Sequence, residues 1–288
     1  MLLAPPMATR IDGTGSNVLE QEPREIAGRA AGYGRRRLDR SALDILITAA
    51  IGGLEVSLGG QAAMAVLGPA LQAAPGLRLY GGLALAGLAF PVGFLFVIIG
   101  RSELFTENFL IPVVAVFSRE RSVASLAGLW GLSWVGNLVG CAIIAGLLSI
   151  PGAIGEPIQE GYRVYADYKL GVAPLGVFAS AVLAGMVMTA LTWLLLALRD
   201  TLARMAAVHA AGYVPFAANL SHSMVGATII FVGSHLAGRA AAEAVVWVLV
   251  AMLDNLVGGI GLVTLFRFAQ AREQAEQDEQ PRRRGRRT

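Results

Sequence analysis

Six apolar runs, each long enough to cross a bilayer, constrain this chain of 288 residues more than any other feature. A membrane-crossing helix needs about 20 predominantly apolar residues. The runs cover about residues 45–71, 80–117, 123–150, 170–198, 205–236 and 244–266. With 55% hydrophobic residues, 15% charged and a mean hydropathy of +0.61, the composition is that of a membrane protein. The sequence therefore predicts an all-α polytopic membrane domain over residues 41–269, between an N-terminal arm (1–40) and a basic tail (270–288). Glycines recur inside the runs, as at Gly136 and Gly140, a GxxxG spacing that lets helix backbones approach closely. The single Cys141 excludes a disulfide framework.

Basic residues set the expected topology. With the N-terminus inside, 18 Arg fall in inner segments, against three Arg and one Lys in outer ones, so both termini are expected on the cytoplasmic side. The first 40 residues lack the apolar core of a signal peptide. Val18 to Asp44 could form an amphipathic helix on the inner membrane face or a solvated polar arm. The terminal PRRRGRRT reads as a topology determinant near anionic lipid rather than a nucleic-acid site.

One run is interrupted. GRSELFTENFL places Arg101, Glu103 and Glu107 within the second apolar stretch, at membrane depth. A broken helix is tolerated there only where protein or a water-filled cavity covers the freed backbone groups. The stretch is thus expected to be a buried loop, with Arg101 paired internally to Glu103 or Glu107. A repeat supports this. NLVG occurs at Asn137–Gly140 and again at Asn255–Gly258, an offset of 118 residues. The same offset lays Leu104–Asn108 over His222–Gly226, so the break in span two meets the only histidine deep in span five. Three spans per half require the halves to be inverted, an arrangement in which two broken helices meet near the midplane.

His209, His222 and His235 are each 13 residues apart, about 20 Å on a continuous helix. That places His222 near the midplane, where an imidazole can donate, accept or pass a proton near neutral pH. The only lysine, Lys169, begins span four. It is either a snorkelling side chain or a charge that draws anions to a pore mouth. Glu55 and Asp254 read as hydrogen-bonding groups; lone carboxylates do not suggest a metal site, and no cofactor motif is present. Ser221, His222 and Ser223 cannot form a nucleophile and base, because helix neighbours point about 100° apart. No GxSxG or HExxH occurs, so no enzyme is expected.

These residues resemble the formate/nitrite transporter family. The similarity covers roughly residues 41 to 269, and its signals are Glu103-Leu104-Phe105-Thr106, Gly136 to Gly140 around Asn137, His222-Ser223, Asn255 with Gly258-Gly259, and Lys169 before span four. The resemblance implies an aquaporin-like inverted 3+3 arrangement of six helices, with helices two and five broken. It also implies a homopentamer in a bacterial-type inner (plasma) membrane, with a pore through each protomer. The cargo would be a small monovalent anion, or its neutral acid with a proton. By motif position, Leu104 and Phe105 would narrow the pore beside His222, Thr106 would hydrogen-bond near the imidazole, and Phe90, Phe94 and Phe216 would form bulky linings. Departures stand at Ser221, where the family has an acidic residue, at Gly226 and Gly185, where it has asparagines, and at Pro215, where it has an aromatic. Two other readings stay open: a neutral-solute channel, against which stands the absence of NPA motifs, and a non-conducting scaffold or sensor.

Overall fold

A computed structural model describes residues 21–73 and 79–284, with side chains as far as residue 277. Every regular element among them is helical. Helix α1 (Pro23–Leu38) precedes the long α2 (Ala42–Ala73), followed by α3 (Leu79–Ala89) and α4 (Pro91–Gly100). A 3-10 turn (Phe105–Phe109) leads into α5 (Ile111–Phe117) and α6 (Val123–Leu148). The second half runs through α7 (Glu156–Gly171), α8 (Pro174–Ala197), α9 (Thr201–Ala217), α10 (Ser223–Leu236) and α11 (Ala241–Leu256). A π-helical stretch (Val257–Thr264) then joins α11 to α12 (Leu265–Arg284).

Five stretches are long and apolar enough to cross a membrane: Ala42–Ala73, Leu79–Gly100, Val123–Leu148, Pro174–Ala197 and Ala241–Gln277. The apolar run over 205–236 is divided instead between α9 and the 14-residue α10. The second run is divided too. α4 ends where Arg101 turns left-handed (φ 59°), and the Ser102 N–H bonds back to the Val97 carbonyl at 3.1 Å. That backward bond satisfies a carbonyl the helix end would leave free. α9 ends in the same way 118 residues later: Asn219 is left-handed (φ 52°), and the Leu220 N–H bonds to the Pro215 carbonyl at 2.7 Å.

The repeat extends to two further helices, α1 within the arm and α7, which the sequence reading left out. Each is 16 residues long and carries in its first turn a proline preceded by a glutamate. Proline at the first turn costs nothing, since its missing N–H has no helical partner there. α1 packs on α5, where a Cβ on Gly34 would lie 2.8 Å from that of Ala115. α7 packs on α10, where a Cβ on Gly233 would lie 2.5 Å from that of Ala166. Residues 34 and 166 are 132 apart and residues 115 and 233 are 118 apart, so these small-residue contacts are equivalent.

Within the arm, residues 23–38 form a helix on which Glu25, Tyr33, Arg35 and Arg36 are exposed. Ile26, Ala27, Ala30 and Ala31 are buried in a small cluster with Leu110, Val114, Trp193 and Ala271. Val18 to Glu20 and the side chains of the terminal basic tail lie outside the described residues. The even spacing of the three histidines along one helix does not hold, because residues 218–222 separate α9 from α10. His209 and His235 are exposed on those two helices.

Candidate functional site

The two breaks are held by two asparagines. Asn137 of α6 accepts the Phe105 N–H (2.8 Å) and donates to the carbonyls of Ala49 (2.7 Å) and Glu103 (2.8 Å). Asn255 of α11 accepts the Ser223 N–H (2.9 Å) and donates to the carbonyls of Ala181 (2.7 Å) and Ser221 (3.0 Å). Both side chains are fully buried. Each one therefore pairs one N–H and one C=O that its non-helical break would otherwise leave free at depth. Close approach makes this possible: a Cβ at Gly53 or at Gly185 would run into the backbone of Asn137 or Asn255 respectively. Gly185 is thus required by the packing, and no asparagine fits there.

At the second break, His222 is the N-cap of α10, and its Nδ1 accepts the Val225 N–H at 3.2 Å. An imidazole nitrogen that accepts carries no proton, so the neutral ring bears its hydrogen on Nε2. Nε2 is buried and has no partner among the described residues. His222 therefore presents a donor that no described residue uses. Thr106 Oγ1 and Ser223 Oγ are buried and have no partner among the described residues either, so the hydrogen bond expected of Thr106 near the imidazole is not made among them.

The approach to His222 is aromatic. The Phe94 ring lies edge-on to the imidazole at 6.1 Å between centroids, and the series continues through Phe90 (4.9 Å from Phe94), Phe216 (4.7 Å from Phe90) and Tyr165 (5.9 Å from Phe216). Lys169 Nζ sits over the Tyr165 ring at 5.5 Å. The three expected phenylalanines are brought together, and Phe216 keeps its place despite Pro215 inside α9. Leu104 and Phe105 are also buried, and Phe105 meets Phe109 edge-on at 5.1 Å.

Lys169 does not snorkel. It is 1% exposed, and its ammonium donates to the carbonyls of Asn219 (2.7 Å) and Leu220 (3.1 Å) and to Ser221 Oγ (3.5 Å). It therefore caps the carbonyl end of α9, where a cation is favoured. No carboxylate neutralises it, since Ser221 holds a hydroxyl that also accepts from Ser180 (2.8 Å). Burial pushes the Lys169 ammonium down to about 7.

The first break carries different chemistry. Glu103, 118 residues before Ser221, is 2% exposed and pairs with Arg40 (2.5 Å) and Arg37 (3.3 Å), while Asn108 donates to it at 2.7 Å. The expected pairing with Arg101 is not made: Arg101 is exposed and has no partner among the described residues, and neither glutamate contacts it. Glu107 is half-buried and unpaired. Arg37 stands 132 residues before Lys169, at the corresponding place in α1, and each reaches the break in its own half. Arg37, Arg40, Asn108, Ser180 and Tyr165 were not singled out by sequence reasoning. The spacing of Arg37 from Lys169 was the available signal.

Of the two other carboxylates, Glu55 accepts from Ser102, as expected of a hydrogen-bonding group. Asp254 Oδ2 finds no partner among the described residues.

The sequence model of the formate/nitrite transporter family matches residues 24–269, which takes in α1 and both breaks. A probable formate transporter of Methanothermobacter thermautotrophicus is 32% identical over 151 residues, covering 52% of this chain and 53% of that protein. The chain thus spans about half the length of that relative. Among solved structures, one described as an FNT family ion channel superposes with a TM-score of 0.74 at 20% identity, covering 85% of this chain and 98% of the other. A pentameric formate channel with formate bound superposes with a TM-score of 0.64 at 17% identity, covering 79% and 96%. This all-helical, multi-pass membrane protein belongs to the formate/nitrite transporter family, whose members are channels and transporters rather than enzymes.

Proposed function

We propose that the protein passes small monovalent anions of weak acids, formate and nitrite among them, through a path in each protomer of a homopentamer. The observation that carries this reading is the unpartnered Nε2 donor of His222 at the end of an aromatic series that begins under Lys169. Formate in the name of one relative, and the bound formate and fivefold assembly of one structural neighbour, support the substrate class and the pentamer.

Taking a bare anion between apolar rings costs several kcal/mol even after relaxation. Lys169 gathers the anion at one mouth, where its charge has no carboxylate to cancel it. Beyond it, Phe216, Phe90 and Phe94 exclude water, and His222 offers one N–H. Because Nδ1 is committed to Val225, the imidazole acts as a fixed donor to the passing oxygen. A proton carried with the anion, or supplied by water, makes the neutral acid that crosses, and release restores the anion. The distribution of Arg supports cytoplasmic positions for both termini, in a plasma membrane of bacterial type.

Flux of formate, nitrite, acetate and hydrosulphide into proteoliposomes, followed at several pH values, tests the reading. Saturable flux of at least one of them, rising as pH falls, is expected. No flux of any of the four would favour a non-conducting scaffold, and flux of glycerol alone a neutral-solute channel.

A further inference from the structure

Beside the first break lies a cavity of about 850 Å³, separate in chemistry from the aromatic series. Its walls are cationic. α1 contributes Arg29, Arg36 and Arg37, and the linker before α2 contributes Arg40. Arg101 enters from the end of α4, Arg199 from the turn between α8 and α9, and Arg204 from the first turn of α9. Against these stand only two lining carboxylates, Glu103 and Glu107.

Carboxylates compensate only part of this charge. Arg37 and Arg40 share Glu103, and Arg40 also pairs with Asp44 (2.6 Å). Arg204 donates to the carbonyls of Leu195 (2.9 Å) and Leu198 (3.4 Å), which leaves its charge in place. Arg36 rests on the Tyr33 ring at 4.6 Å. Arg29 reaches Gln21, and its buried Nε has no partner among the described residues. Arg101 and Arg199 have none at all among them. Burial, and then the neighbouring Arg199, hold the Arg29 guanidinium below its ordinary value. Like charges crowded in this way are destabilising unless an anion relieves them.

Size and charge together select the occupant. A water fills about 30 Å³ of liquid, so the cavity is many times larger than a three-heavy-atom anion needs. It is instead the size of a site for a metabolite or a headgroup, roughly 300–1,000 Å³. Guanidinium forks match phosphate oxygens two at a time. We propose that this cavity binds a phosphate-bearing multivalent anion, one per protomer. The anion is either a soluble polyphosphate compound or the headgroup of a phosphate-rich lipid. Since Arg37 and Arg40 face the same cavity while holding Glu103, the occupant would rest against the loop of the first break.

The test needs no transport activity, so its outcome is independent of the proposed substrate. The full-length protein is placed in phosphatidylcholine nanodiscs and titrated calorimetrically with inorganic tripolyphosphate at low salt. Saturable binding with one site per protomer is expected, weakened at least tenfold in Arg101→Gln/Arg199→Gln. Both side chains are exposed and bonded to nothing, so this variant is expected to fold; Arg199→Gln alone, read against its own melting curve, serves if it does not. A control replaces Arg282, Arg283 and Arg284 by Gln and is expected to bind as before. Absence of saturable binding, or loss in the tail variant with none in the cavity variant, would overturn the proposal. Repeating the titration in nanodiscs containing phosphatidic acid separates the sources: competition names the lipid headgroup, and undiminished binding names the soluble anion.

Discussion

Asn137 and Asn255, 118 residues apart, make the same three hydrogen bonds at the two helix breaks. Each accepts one N–H and feeds two carbonyls, one on its own break and one on the long helix of its half. The two loops are therefore rigid by the same device. Replacing either asparagine by Ala leaves the buried N–H and C=O of its break unpaired, at about 1–3 kcal/mol each where water cannot enter. Asn137→Ala and Asn255→Ala are expected to lower the melting temperature in detergent by similar amounts, and Asn→Asp, which loses the two donors, by no less.

Trp247 explains the glycine four residues after His222. A Cβ on Gly226 would lie 2.5 Å from the indole Cζ3. Overpacking of this kind costs about 1–3 kcal/mol. Gly226→Asn is expected to destabilise the protein, and Gly226→Asn/Trp247→Leu to recover most of the loss, as read by thermal unfolding.

The carboxylate of Glu103 is buried with two guanidiniums, one from α1 and one from the linker before α2. Removing both cations strands a buried charge, which typically costs about 3–5 kcal/mol. Arg37→Met/Arg40→Met is expected to be strongly destabilised, and addition of Glu103→Gln to restore much of the stability. A triple variant no better than the double would show that the pairing is incidental.

Lys169 is charged below about pH 7 and neutral above it, because burial has lowered its proton affinity. The attraction it exerts is present on the acid side and fades as pH rises through that value. Lys169→Met is expected to reduce formate flux by about tenfold at pH 6, the worth of one favourable charge contact near 1.4 kcal/mol. At pH 8 the variant and the wild type should nearly converge. Equal loss at both pH values would assign Lys169 a purely structural role as the cap of α9.

Much of this site was legible in the sequence because the repeat is exact where chemistry demands it. The offset read from NLVG recurs in the left-handed residues Arg101 and Asn219 and in the bonds to Val97 and Pro215. A broken helix at depth admits few solutions, and both halves use the same one. Helix α7 was missed for a physical reason as well, and α1 was left open between an amphipathic helix and a solvated arm. Both are short and polar, so neither stands out beside apolar runs, and they share a glutamate-proline start. The pairing of Arg101 with a loop glutamate was a guess from proximity along the chain. Glu103 instead reaches Arg37 and Arg40, more than 60 residues earlier, contacts that only α1 docked on α5 could bring about.

The central claim is that the free Nε2 donor of His222 is what a passing anion uses. Formate flux into proteoliposomes by wild type and His222→Ser at matched pH tests it most directly, since serine preserves the cap of α10 but cannot extend a donor to the same place. A hydrogen bond to a charged group is worth about 1.5–3 kcal/mol, so the variant should retain its melting temperature and lose about tenfold or more of its flux. A folded His222→Ser protein that carries formate at the wild-type rate would contradict the account.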